Sequence, residues 1–167
     1  AGTLKSDYIK DLKSDPWAES PFNWIRQCPS RQRGKIGEQL LAGWCAAKGL
    51  DVTRSPDSEA DRLIEGRRVE VKFSTRWETG IYKFQQIRDQ KYEHLICLGI
   101  CPFDAHCWVI PKNELRHAQA GLTGQHMGRA GKDTAWLSFS PDSPPQWLNR
   151  FGGSLGKAFP VLMGLRS

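Results

Sequence analysis

Asp61, Glu70 and Lys72 are three residues whose types and spacing could do chemistry together. Residues 60–75 read Ala-Asp-Arg-Leu-Ile-Glu-Gly-Arg-Arg-Val-Glu-Val-Lys-Phe-Ser-Thr. Glu65-Gly66 predicts a two-residue hairpin turn, because Gly supplies the positive φ that tight hairpins need. That turn sets Ile64 opposite Arg67, Leu63 opposite Arg68, and Asp61 opposite Glu70. Opposed residues in an antiparallel pair hold their Cβ atoms only about 5 Å apart, where like charges repel. Lys72 shares the face of Glu70, while Val69, Val71 and Phe73 take the other face. One strand face thus carries two carboxylates and an ammonium, backed by an apolar face that can fix it to a core. A divalent cation with a preference for oxygen, such as Mg²⁺, turns that repulsion into binding.

The triplet acid-x-Lys carries little by itself, since a chain of this composition holds about one by chance. Asp11-Leu12-Lys13 and Asp89-Gln90-Lys91 also fit it, both in patterns that read as helix. Only Glu70-Val71-Lys72 lies on an alternating strand with an earlier acid in pairing register. The alternative reading of the same residues is a solvated, charged hairpin. Upstream, Ile36, Leu40, Leu41, Trp44 and Cys45 fall at helical spacing, predicting a helix from Gly34 that stops at Gly49. Glu38 lies early in it, where the helix dipole alone would favour an acid. Gly34 and Gly37 suit a close approach of backbone to phosphate. Residues 51–54 read as a short strand leading to the hairpin.

Asp61 with Glu70-Val71-Lys72, behind a helix carrying an early Glu38, resembles the PD-(D/E)XK nuclease superfamily. That superfamily includes restriction endonucleases and Holliday-junction resolvases. The resemblance implies an α/β fold with an α-β-β-β-α-β core, a central mixed sheet flanked by helices, over about residues 34–110. It also implies that Glu38 points at the metal site, directly or through water. Residues 84–90 (Phe-Gln-Gln-Ile-Arg-Asp-Gln) and 108–112 (Trp-Val-Ile-Pro-Lys) are similar to stretches of such bacterial proteins. Two departures stand out. Ala60, not Pro, precedes Asp61, and the pair Pro56-Asp57 offers Asp57 as a competing first ligand. The Gln-x-x-x-Tyr helix motif of some members is absent, because Arg88 stands four residues before Tyr92.

Phosphodiester hydrolysis needs an activated water in line with the leaving oxygen, and stabilised charge on the phosphoryl oxygens. Asp61, Glu70 and the Val71 carbonyl are read as holding Mg²⁺, for which Mn²⁺ should substitute. Glu38 would hold a metal-bound water or a second ion. Lys72 is read as orienting the attacking water rather than taking its proton, since adjacent carboxylates favour the ammonium. Arg31, Arg33 and Lys35, a basic run ahead of the Glu38 helix, are read as DNA contacts, with Arg76, Trp77 and Lys83 beyond the site. Gln86 and Arg88 can read base edges if the helix predicted over 84–92 reaches a groove.

The remaining chain is read as one nuclease domain. Residues 1–30 form a helical arm (5–14 and 20–27), 34–110 the catalytic core, and 111–167 a C-terminal elaboration. In the core, 94–100 and 107–110 read as buried strands. Beyond it lie helices at 111–118 and 145–151, a strand at 134–139, a loop at 121–133 and a packed or fraying tail. A formal charge of +6 and a pI of about 9.2 suit a polyanionic partner, here DNA. No apolar run reaches membrane-spanning length, and no secretory pattern opens the chain, so no membrane partner is expected. Five cysteines, an odd number, argue against a disulfide framework and for a reducing compartment, the cytoplasm; the resemblance to restriction-like nucleases implies a prokaryotic or phage-encoded protein. Cys97, Cys101 and Cys107 with His94 and His106 match no finger spacing, and Cys97 sits in an apolar run where it packs as a small hydrophobe. Neither a phosphate-binding loop nor a Gly-x-Ser-x-Gly elbow is present, which excludes a nucleotide-driven motor and a serine hydrolase. A cut through both strands of a duplex would call for a homodimer, since one site faces one strand.

Overall fold

The computed structural model describes residues 15–119 and 133–166. The helix expected over 5–14 and the loop over 121–132 lie outside them. Glu65 (φ 51°) and Gly66 (φ 76°) make the hairpin turn in two left-handed steps, as a type I′ turn requires. β1 (Val52–Arg54), β2 (Arg62–Ile64) and β3 (Arg67–Thr75) therefore run antiparallel. Ile64 faces Arg67, Leu63 faces Arg68 and Arg62 faces Val69. The Asp61 N–H donates to the Val69 carbonyl at 2.9 Å, extending the pairing by one step. Beyond that step β3 has no strand partner on this side among the described residues, so residues 70–75 present an open edge.

On its other side β3 pairs in parallel with β5 (His94–Ile100), which pairs antiparallel with β6 (Ala105–Pro111). With β8 (Gly152–Ser154) they complete a mixed six-stranded sheet ordered β1-β2-β3-β5-β6-β8. Helices α2 (Ser30–Ala47) and α3 (Leu155–Met163) cover one face. There Leu41 and Cys45 of α2 and Ala158 and Leu162 of α3 bury Val69, Val71, Ile96, Leu98 and Val109. A short helix, α1 (Asn23–Arg26), precedes α2, and 3₁₀ turns occupy Lys112–His117 and Gln146–Phe151. The tail is not frayed, since α3 and Leu165 are part of this core.

The other face is closed by a second sheet rather than by the expected helix. Residues predicted as helix over 84–92 form β4 (Tyr82–Arg88), paired antiparallel with β7 (Asp133–Phe139). The reason is a β-bulge. The register shifts between Phe84 and Ile87, and Gln86 takes φ 59°. One extra residue then sets the buried Phe84 and Ile87 three positions apart, a spacing that imitates a helix. Tyr82, Phe84 and Ile87 pack with Leu95, Cys97 and Trp108 in a core of their own. The element order over the core is thus one helix followed by six strands, and the β3–β5 crossover passes through a strand.

Helix α2 begins at Ser30, four residues before the expected Gly34, with Pro29 as its N-cap. Gly37 does not serve phosphate approach, because it is buried against β3. A Cβ there would lie 2.3 Å from the Phe73 ring. A helical Gly→Ala change ordinarily gains about 1 kcal/mol, whereas overpacking costs about 1–3 kcal/mol. Gly37→Ala is therefore expected to be destabilising by up to about 2 kcal/mol net. The measurement is the urea midpoint, and an unchanged midpoint would show that α2 has room to move.

Candidate active-site cleft

The open edge of β3 is the floor of a cleft of about 550 Å³, lined by Glu38, Asp61, Glu70, Lys72, Gln86 and Arg88 among others. The first half of α2 forms one wall and β4 the other. Asp61 stands where β2 leaves β3, and its side chain does the work of the missing strand. The Val71 N–H donates to Asp61 Oδ2 at 2.7 Å. That bond fixes the Asp61 carboxylate beside Glu70, as the cross-strand register requires.

Glu70 is only 6% exposed, one of three buried polar or charged residues among those described. Burial pushes its carboxyl up to about 8, and the hydrogen bond and charge of Asp61 push it the same way, while Lys72 and Arg88 oppose the rise. Without a bound cation, Glu70 therefore keeps its proton near neutrality. The folded chain holds that proton more tightly than the unfolded chain does. The stability it contributes is full below the ordinary value near 4.5 and is lost as the pH rises through about 8. In chelator, the wild type should lose urea resistance over that interval. Glu70→Gln, which keeps a donor for Asp61 and cannot ionise, should hold its midpoint there. Parallel losses in both proteins would contradict this account.

Lys72 lies two residues on, on the Glu70 face, and Val71 also lines the cleft. Glu38 reaches the cleft from α2, but not as a free carboxylate. Its Oε1 accepts from Arg62 Nε at 2.9 Å. Arg62 was not among the expected site residues. It pairs with Val69, so it points toward α2 and away from Asp61's face, and only the docking of α2 reveals its partner. Asp57, the competing ligand, instead pairs with Arg68 at 3.2 Å and is absent from the cleft lining.

The expected DNA contacts divide. Arg33, Trp77, Lys83, Gln86 and Arg88 line the cleft, as does Gln85. Arg33 is steadied by a bond from Nε to the Cys28 carbonyl at 2.8 Å. The Lys83 ammonium lies 3.9 Å from the centroid of the exposed Trp77 ring, a cation–π pair. Arg31 and Lys35 are exposed but lie on α2 rather than ahead of it, outside the cleft lining. Arg76 is also displaced, because it bonds the Gly80 carbonyl at 3.0 Å and Asp142 at 2.6 Å. Gln86 and Arg88 sit on a bulged strand instead of a helix, and the bulge leaves Gln85 and Gln86 both exposed.

No family model matches the chain, and no curated protein does. Among solved structures, it is similar to a bacterial homing endonuclease, I-Ssp6803I. The TM-score is 0.51 at 15% identity, over 81% of this chain and 94% of that one. At that identity the likeness shows a common fold, a mixed sheet flanked by helices. No helix among the described residues is long and apolar enough to cross a membrane.

Proposed function

We propose that this chain is a magnesium-dependent endonuclease of the PD-(D/E)XK type that hydrolyses DNA phosphodiester bonds in the cleft between α2 and β4. The observation that carries the reading is the pair of carboxylates Asp61 and Glu70, held side by side with Lys72 on the same face. The residues fit a hard divalent ion. They offer oxygen alone, from Asp61, Glu70, the Val71 carbonyl and, through water or a second ion, Glu38. Glu70's displaced titration marks a site with more negative charge than its burial tolerates, which a cation relieves. When bound, Mg²⁺ or Mn²⁺ would supply charge stabilisation at the phosphoryl oxygens and a more acidic water.

The chain's own residues do the rest. The Lys72 ammonium orients the attacking water and opposes charge building on the phosphate. Arg62 holds the Glu38 carboxylate through Oε1, which leaves the second oxygen to hold a metal-bound water or a second ion. Arg33 on one wall, with Lys83 and Arg88 on the other, would bind the backbone on either side of the scissile phosphate. The cleft is open and its lining polar, which suits a polyanion better than a small apolar ligand. The β4–β7 ribbon presents Gln85, Gln86 and Arg88, whose side chains can pair with adenine or guanine edges in a major groove. The likeness to a homing endonuclease supports DNA as substrate. A role in restriction, defence or DNA processing in a prokaryotic or phage-infected cytoplasm fits, with a homodimer where both strands are cut.

Purified protein incubated with plasmid and oligonucleotides, in Mg²⁺, Mn²⁺, Ca²⁺ or chelator, tests the reading. Cleavage with Mg²⁺ and Mn²⁺, and none in chelator, is expected. If no nucleic acid is cut with any ion but DNA is still retained, the fold serves as a binding module. The walls can be separated by mutation. Arg33→Glu should weaken binding to all sequences and lower the salt slope by about one to two. Gln86→Ala should change which sequences are cut. An unchanged preference in a randomised-duplex screen would make the bulge structural.

A further inference from the structure

The turn between β5 and β6, whose residues are outside the cleft lining, gathers a second set of ligating groups. The Cys101 N–H donates to the Asp104 carbonyl at 2.8 Å and closes the turn. Cys101, Asp104 and His106 then bring one ligand atom each within 4.8 Å of one another. Cys101 Sγ lies 4.0 Å from His106 Nδ1, while Asp104 Oδ2 lies 3.8 Å from the opposite ring nitrogen, Nε2, so an ion shared by the thiolate and Nδ1 requires the exposed Asp104 carboxylate to swing toward it. The buried Tyr82 hydroxyl sits between them, 2.8 Å from Nδ1 and 3.1 Å from Sγ.

We propose that Cys101, Asp104 and His106 bind zinc and that the bound ion braces the turn between β5 and β6. Tetrahedral zinc with Zn–S near 2.3 Å and Zn–N near 2.0–2.1 Å holds S and N about 3.5 Å apart. The thiol and imidazole therefore need to close by only about half an ångström, which side-chain rotation allows. Sulfur, nitrogen and one carboxylate oxygen suit zinc and not magnesium, so this site would not compete for the ion of the cleft.

The surroundings match the demands of such a centre. Burial lowers the tendency of His106 to take a proton, leaving a lone pair for metal. Burial raises the Cys101 thiol, and a bound cation would reverse that effect by holding the thiolate. Arg76 stands close to Cys101, but its charge is matched by Asp142 at 2.6 Å. Burial also keeps the Tyr82 phenol protonated. It would serve as a hydrogen-bond donor to the thiolate rather than as a ligand, leaving the fourth position to water. The Asp104 side chain is 64% exposed, which gives the ion a path of entry.

The test uses the full chain, reduced, stripped with chelator and titrated with Co²⁺ in place of zinc. Near-ultraviolet thiolate-to-cobalt absorption should saturate at one ion per thiolate site and be abolished by Zn²⁺, whatever Co²⁺ the carboxylates of the cleft also take. Zn²⁺ should also raise the melting temperature. Cys101→Ala and His106→Gln should lose both effects. Should either fail to fold, Asp104→Asn at its exposed position should still weaken binding by about tenfold or more. The proposal is overturned if the wild type shows no thiolate absorption, or if Asp104→Asn binds as tightly as wild type. It is also overturned if the absorption survives Cys101→Ala and vanishes with Cys28→Ala at the half-buried Cys28. Neither readout involves DNA, so the result is independent of the nuclease reading.

Discussion

Glu70→Gln and Asp61→Asn are each expected to abolish cleavage while leaving DNA binding intact or tighter. Each change keeps the size of the side chain and removes one negative charge next to the phosphate, so binding gains or stays level. Cleavage loses the oxygen pair that holds the ion. Removing one preorganised electrostatic group from an active site typically costs about 10²–10³ in rate, and losing the ion itself should exceed that. Asp61→Asn carries an added cost, because its Oδ2 also accepts the Val71 N–H. Asn can still accept there through its own oxygen, so the strand edge should remain folded and the loss should read as chemistry. Rates measured at saturating Mg²⁺, together with binding in Ca²⁺, separate the two effects. A Glu70→Gln protein that cuts at wild-type rate would place the chemistry elsewhere.

Lys72→Ala is expected to lose cleavage by about 10²–10³ with only a small loss of affinity. Lys72 is one cation of several along the cleft, and Arg33, Lys83 and Arg88 remain to hold the backbone. Its place beside Glu70, however, is the one from which an ammonium can meet charge that develops during reaction. Lys72→Arg should recover less than the charge alone would suggest, since a guanidinium is larger and planar. Equal losses in affinity and rate for Lys72→Ala would make the residue a binding contact instead.

The hairpin was legible because local rules determine it. Gly66 sets the turn, the turn sets the register, and the register puts Asp61 against Glu70. The first helix was legible in its middle but not at its start, because Gly34 and Gly37 looked like an opening. Gly37 is in fact the point where α2 meets Phe73, a tertiary fact with no local mark. The β4 strand was misread for a definite reason. A bulge at Gln86 adds one residue to an alternating pattern, and the resulting Phe84–Ile87 spacing belongs to a helix as readily as to a bulged strand. The partner that decides between them, β7, starts 45 residues after β4 ends. Arg62 escaped notice because its partner Glu38 is brought to it only when α2 docks on the sheet. Cys101 and His106 were weighed as zinc ligands with Cys97, Cys107 and His94 and set aside for want of a finger spacing, and Asp104 was not named because only the fold of the turn brings it to them.

The most direct test of the cleft is an anomalous difference map from crystals of the wild-type chain grown with Mn²⁺. The account predicts a peak in the cleft within roughly 2.0–2.6 Å of carboxylate oxygens from both Asp61 and Glu70. A peak held by Asp57, or an occupied crystal with no manganese between Asp61 and Glu70, would contradict it.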